Sequence, residues 1–209
     1  MIDLYTWATP NGRKVSIMLE ELELSYVAHA IDIGAGDQHN PEFLSISPGG
    51  KIPAIVDRET GARMMESGAI LLYLAEKTGR FMPVDDQGRW ETMEWLMWQM
   101  GGVGPMLGQA HHFIRFNPGK APYAEERYLT EAKRLYGVLD RRLQGREYVA
   151  GDYSIADMAI WPWISRFEWQ TVPLHEFPNV VRWYTAIAAR PAVQRGYQVP
   201  RYTQEIPMP

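Results

Sequence analysis

The chain of 209 residues contains no cysteine. That excludes disulfides, thiolate metal sites and a nucleophilic Cys, so any sulfur chemistry has to be carried by a ligand. Positive charge is also scarce: 21 Lys and Arg stand against 25 Asp and Glu, a net charge of -4. Nucleic-acid binding asks for the opposite balance, so no nucleic-acid partner is expected. The longest apolar run, near Ala69 to Ala75, is far too short to span a bilayer. The N-terminus lacks a charged segment followed by an apolar stretch. These shortages predict a soluble cytoplasmic protein with no membrane partner. His111 and His112 are adjacent and so point to different helix faces, a spacing that does not suit a shared metal. No metal is expected, although one of the two could line a cleft.

What is present is a large apolar fraction, 46%, enough for one large domain or two small ones. The tryptophans are uneven: Trp7 stands alone early, and the other seven of the 8 lie between Trp90 and Trp183. That shift predicts two domains with different cores.

Ile2 to Tyr5 reads as a strand and Asn11 to Leu22 as a helix, with Val15, Met18, Leu19 and Leu22 on one face. Tyr26 to Ile33 alternates and reads as a second strand. This spacing implies parallel pairing through a right-handed crossover. Gly34 to Gln38 is a loop, Pro41 to Leu44 a short helix and Ser47 to Lys51 a turn. Ile52 to Asp57 and Ala62 to Met65 read as strands, and Glu66 to Glu76 as a helix ended by Gly79. The order is βαβ, an irregular link, then ββα.

Residues 83–88 have the composition of a linker, and no strand is evident from Arg89 onward. Trp90, Met93, Met97 and Met100 share a helix face, and the aromatic and methionine stripes of this half read most simply as core. Gly101, Gly102, Gly104 and Pro105 predict a kink or a close backbone approach. Tyr123 to Leu143 reads as a long helix with Tyr128, Ala132, Leu135, Leu139 and Leu143 inward. Ser154-Ile155-Ala156-Asp157 fits a capping box opening a helix towards Trp169. Val180, Tyr184 and Ile187 stripe a further helix, which Pro191 ends. The tail from Tyr197, with Pro200, Pro207 and Pro209, is expected to be draped or frayed.

This layout, a thioredoxin-like α/β domain (βαβ-ββα) followed by an all-α domain, resembles that of the cytosolic glutathione transferases. Ile52-Pro53-Ala54-Ile55-Val56-Asp57 and Glu66-Ser67-Gly68-Ala69-Ile70 resemble that family's cis-proline strand and glutathione-binding helix start. Ser154 to Asp157 resembles its buried capping box, and Phe177 to Pro191 its late helix. Thr9-Pro10-Asn11-Gly12, Ile46-Ser47-Pro48, Glu66 to Gly79 and Gly104 to Gln109 are similar to the Nu class, the YfcG-like bacterial members. The expected domains are 1–82, glutathione-binding; 83–88, linker; and 89–209, all-α with acceptor-pocket and dimer contacts. The resemblance implies a homodimer that reduces disulfides with glutathione as co-substrate, binding two glutathiones or the disulfide per site. The partner substrate would be a small-molecule disulfide, or an electrophile if the protein conjugates instead.

The same resemblance distributes the roles. Thr9 and Asn11 would stabilise the glutathione thiolate, where other members use Tyr, Ser or Cys. Ile52 would pair its main chain with the peptide ligand, beside a cis Pro53. Glu66 and Ser67 would take the γ-glutamyl ammonium and carboxylate. Gln38 and Lys51 would flank the glycyl end. Arg127 would reach glutathione across the dimer interface. On the residues alone, simpler readings stand beside each role. Thr, Asn, Glu and Ser are ordinary helix caps, Pro53 can be an edge-strand proline, and Arg127 can pair with Glu131 at i+4. A non-catalytic glutathione carrier also stays open.

Overall fold

A computed structural model describes residues 1–209. The chain forms two compact units: Met1–Arg80 with Ala189–Ile206, and Phe81–Ala188 with Pro207–Pro209.

The first unit is built on β1 (Ile2–Thr6), α1 (Pro10–Glu21), β2 (Tyr26–Ala30), α2 (Pro41–Leu44), β3 (Ala54–Asp57), β4 (Arg63–Met65) and α3 (Ser67–Thr78). The sheet order is β2-β1-β3-β4, with β1 and β2 parallel and the other pairs antiparallel. Leu4 of β1 lies opposite Ile55 of β3, and both are fully buried. α1 and α3 pack on each other, enclosing Val15, Met18, Leu19, Ile70, Leu71 and Leu74. This is the thioredoxin-like arrangement expected from the sequence.

Two strands are shorter than their composition suggests. β2 stops at Ala30 because Asp32 gathers the following turn: its main-chain oxygen accepts from Ala35, Gly36 and Asp37 N–H, and its carboxylate from Gly34 N–H. β3 begins at Ala54, since Pro53 has no N–H for the ladder. The Ile52–Pro53 peptide bond is cis.

The end of the chain departs most from expectation. Pro191 does not only close the preceding helix; it is also the first residue of α9 (Pro191–Tyr197), a helix the periodicity missed because it spans only two turns. α9 lies against α1, so the last helix belongs with the first unit and not with residues 89–188. Ser16 Oγ donates to Gly196 O at 2.7 Å, and Glu21 takes Arg190 through two contacts of 2.6 and 2.9 Å. Arg13 stacks 3.4 Å over the Tyr197 ring and donates to Tyr197 O and Thr203 Oγ1. The tail is therefore draped and tied down.

The second unit is helical: α4 (Asp86–Trp98), α5 (Gly104–Ala110), α6 (Pro122–Leu143), α7 (Ile155–Ile164) and α8 (Pro178–Ala188). α4 starts inside the expected linker because Asp85 caps it, accepting from Gly88 N–H at 2.8 Å. The glycine-rich segment is wound as a π-helix over Gln99–Val103, and a second π-helical stretch covers His111–Phe116. α7 ends at Ile164, short of Trp169, and a 3-10 turn follows at Phe167–Gln170. The Trp90–Met100 stripe is not core: Trp90 is 65% and Met97 47% exposed. α4 instead buries Thr92 and Leu96, with Gln99 one turn on, and packs on α7 through its other side. No helix is long and apolar enough to cross a membrane.

His111 is a core histidine. It stacks on Trp163, and its Nε2 lies 3.0 Å from Gln170 Nε2. Tyr136 donates to Gln170 Oε1 and Gln170 Nε2 also donates to Trp163 O, so the remaining amide proton requires His111 Nε2 as an acceptor. The ring is therefore neutral. Burial, with repulsion from Arg166, pushes its pKa down to about 4. An unfolded His takes its proton near 6.5, so the unfolded chain binds more protons as pH falls from there to about 4. Stability is expected to drop by about 3 kcal/mol across that window. His111→Gln should flatten this acid limb in urea-unfolding midpoints measured from pH 7 to 4.

Candidate functional site

The sheet register brings the strand ends that lead to Thr9, Pro53 and Glu66 to one end. Tyr5 pairs with Ala54 and Ala54 with Met65, so one step further Thr6, Pro53 and Glu66 come abreast. The two helix starts, at Pro10 and Ser67, follow directly from those strand ends. Their first N–H groups lack partners within the helix and so serve as anion donors.

Thr9 is the N-cap of α1: its Oγ1 accepts from Gly12 N–H at 3.2 Å, and Pro10 occupies the first helical position. Capping does not consume the hydroxyl, because Oγ1 accepts here and keeps its own O–H to donate. Thr9 and Asn11 are both half-buried. Gly12 is what lets the turn close. A Cβ there would stand 2.2 Å from Trp7 O and 2.5 Å from Thr6 Oγ1. Tyr5 is packed, stacked 4.7 Å from the His29 ring and tilted against Phe43, and burial raises its pKa.

Glu66 sits at the N-cap position of α3 but makes no side-chain cap bond, so the simple capping reading does not hold for it. It is exposed, with φ 69 and ψ 111. A non-glycine residue in that region costs about 1–3 kcal/mol and is found where neighbouring structure or function demands it. Ser67, the next residue, is 3% exposed. Ile52 is half-buried and packs on Phe43, Ile46 and Ala54, whereas Lys51 is exposed and its main-chain oxygen is held by Ser47 Oγ at 2.7 Å. Gln38 lies in a short 3-10 turn with Nε2 3.3 Å from His39 Nε2; its Oε1 is buried without a protein partner.

Arg127 lies in the other unit, exposed on α6. The simpler reading, a pair with Glu131, does not hold; Glu131 takes Arg134 at 2.7 and 2.8 Å, because the i+3 guanidinium reaches both carboxylate oxygens. Arg127 instead lines a cavity of about 550 Å³ with Met106, Tyr123, Tyr128 and Glu131.

Sequence reading missed Lys14. It is 1% exposed, and its Nζ donates to Ser67 Oγ at 3.2 Å, linking the first turns of α1 and α3. Burial pushes its pKa down to about 7, against the opposing pull of Glu66. A signal existed: Lys14 stands four residues before Met18 and so falls on the buried face of α1.

These features define a thioredoxin-like unit with a donor-rich corner at two helix starts, joined in one chain to a helical unit. Residues 8–77 match the model for the glutathione S-transferase N-terminal domain and residues 103–191 that for its C-terminal domain. The chain belongs to the glutathione transferase family of enzymes. It is 50% identical over 198 residues to the disulfide-bond oxidoreductase YfcG of Escherichia coli, covering 92% of each chain. A glutathione transferase from Pseudomonas putida, solved with one glutathione disulfide per subunit, is 46% identical with a TM-score of 0.91. The match covers 95% of this chain and 91% of that one. A Burkholderia graminis transferase with two glutathione molecules per subunit is also 46% identical, TM-score 0.89, over 97% and 89% of the two chains.

Proposed function

We propose that this protein is a glutathione-dependent disulfide-bond oxidoreductase acting on small disulfides in the cytoplasm. The observation that carries the reading is a donor corner in a chain without cysteine, in a protein half identical to a disulfide-bond oxidoreductase. Both reacting sulfurs then belong to ligands. A glutathione thiolate attacks one sulfur of the disulfide; a new S–S bond forms and the other sulfur leaves as a thiolate, which takes a proton. A second glutathione repeats the exchange, giving glutathione disulfide and two thiols. Such exchange needs an aligned, ionised thiol and little else.

In this reading Thr9 O–H and the Asn11 amide donate to the thiolate, and the α1 start lowers its pKa. The main chain of Ile52, beside Pro53, pairs with the ligand's cysteinyl residue as an added strand. Glu66 accepts from the γ-glutamyl ammonium, while Ser67 and the α3 N–H groups take the carboxylate. Gln38, with its unpartnered Oε1, and Lys51 flank the glycyl end. Arg127 serves glutathione from the partner of a homodimer, and the exposed Trp90–Met97 stripe supplies apolar surface for that contact.

Asn11→Ala is expected to lower turnover of a model disulfide by roughly 100-fold while changing glutathione affinity little, as removal of a single charge-stabilising donor does. Turnover at the parental rate would count decisively against the assignment. Conjugation of an electrophile is the second reading: the α6 cavity sets Met106, Tyr123 and Tyr128 beside Glu126, Arg127, Thr130 and Glu131, a mixed apolar and charged lining. Rates with a chloroarene and with a disulfide, measured side by side, separate the two. Calorimetric binding of glutathione with neither reaction would mark a carrier.

A further inference from the structure

Lys14 ranks among the largest fully buried side chains of the protein. A lysine is almost never buried unless its ammonium is paired, since removal from water disfavours the charge. If only volume mattered here, an unbranched apolar side chain would fill the space. The place of the ammonium is therefore informative. Nζ meets Ser67 Oγ at 3.2 Å, at the first residue of α3 and one turn along α1 from Asn11.

An ammonium has three donors and no acceptor. In this bond Ser67 Oγ must accept, so the Ser67 O–H is turned towards an acceptor other than Lys14. The N–H groups of the first turn of α3 lie at the same point and carry the positive end of its dipole. A hydroxyl donor, helix-start amides and a buried cation thus converge on one spot. Beside it Glu66 exposes a carboxylate, and that charge is the one favouring the protonated form of Lys14. The paired signs match an α-amino acid zwitterion, with its ammonium towards Glu66 and its carboxylate towards Ser67.

We propose that Lys14 is a positioning residue for the γ-glutamyl carboxylate of glutathione, fixing the direction of the Ser67 hydroxyl and supplying the buried charge that makes this subsite select a carboxylate. The inference rests on the glutathione reading above. Lys14 acts through Ser67, at the γ-glutamyl end of the proposed site, so it governs recognition and not the exchange step.

The test compares two ligands by calorimetry: reduced glutathione, and 4-aminobutanoyl-cysteinyl-glycine, which lacks only that carboxylate. The native protein is expected to prefer glutathione by roughly 100-fold, the range of hydrogen bonds to charged groups. In Lys14→Met the preference should fall by at least roughly tenfold. Affinity for the analogue should fall far less than affinity for glutathione, and the KM for glutathione should rise by a larger factor than kcat falls. Equal weakening of both ligands would mean a merely structural lysine and overturn the inference.

A measurement on the native protein guards against a variant that does not fold. Raising pH from 6 to 8.5 removes the Lys14 proton while the ligand carboxylate stays ionised, so the preference should shrink. Glu66, the N-cap residue of α3, is the acidic group that acts on Lys14. The Glu20–Arg195 and Glu21–Arg190 pairs towards α9 lie about two turns further along α1. Arg13, the neighbouring residue, is engaged by Tyr197 and Thr203. A preference independent of pH would overturn the inference. Failure of the native protein to bind either ligand would instead overturn the glutathione reading itself.

Discussion

Gly12→Ala is expected to reduce disulfide turnover by at least roughly 100-fold, the cost of misplacing a reacting group by about 1 Å. The added Cβ would stand 2.2 Å from the carbonyl oxygen of Trp7, a main-chain atom that cannot swing aside. The end of β1 and the start of α1 would have to separate. That movement would pull Gly12 N–H from Thr9 Oγ1, now 3.2 Å away, and shift Thr9 and Asn11 from the positions they hold against the rest of the corner. Overpacking of this kind also costs about 1–3 kcal/mol of stability. Gly101→Ala is the control. A Cβ there meets nothing within 4 Å, and turnover should stay at the parental rate. Steady-state rates and thermal midpoints of both variants check the prediction; an active Gly12→Ala protein would mean that the turn does not set the chemistry.

The second large effect lies in the helical unit. Asp157 is fully buried and accepts four bonds: from Val149 N–H and Trp183 Nε1 at one oxygen, and from the N–H and hydroxyl of Ser154 at the other. Asp157→Ala would leave these donors buried without an acceptor, each costing about 1–3 kcal/mol before relaxation. A loss on the order of 4 kcal/mol is expected, within the range for breaking a buried charged network. Asp157→Asn keeps one carbonyl oxygen and should lose about half as much. Tryptophan fluorescence during urea unfolding reports this unit selectively, since seven of the 8 tryptophans lie in it. A midpoint shift with an unchanged slope would mark lost stability in an unchanged fold. No shift would mean that water replaces the carboxylate at no cost.

This capping box shows what could be read in advance. Ser154 and Asp157 are three residues apart, and the reciprocal bonds between them follow from spacing alone. The further bond to Trp183, 26 residues on, does not. The same division runs through the site. Helix starts at Pro10 and Ser67 were legible because caps and prolines act on their neighbours. That Glu66 declines to cap, with φ 69, depends on the strand that delivers it. The Met and Trp stripe of α4 has helical period, but periodicity identifies a face without saying what covers it, and Trp90 is exposed.

By itself the sequence determined the order of strands and helices as far as α8, the residues available at the donor corner, and the absence of any thiol of the chain's own. Those rest on local pattern and on which atoms the chain possesses. Only the tertiary structure decided that Lys14 is buried against Ser67, that Arg13 is held beneath Tyr197, and that the last helix completes the first unit. Each of these joins residues from 53 to 184 positions apart. No periodicity within one segment encodes which distant segment will lie across from it, because that choice is made by the joint packing of the whole unit.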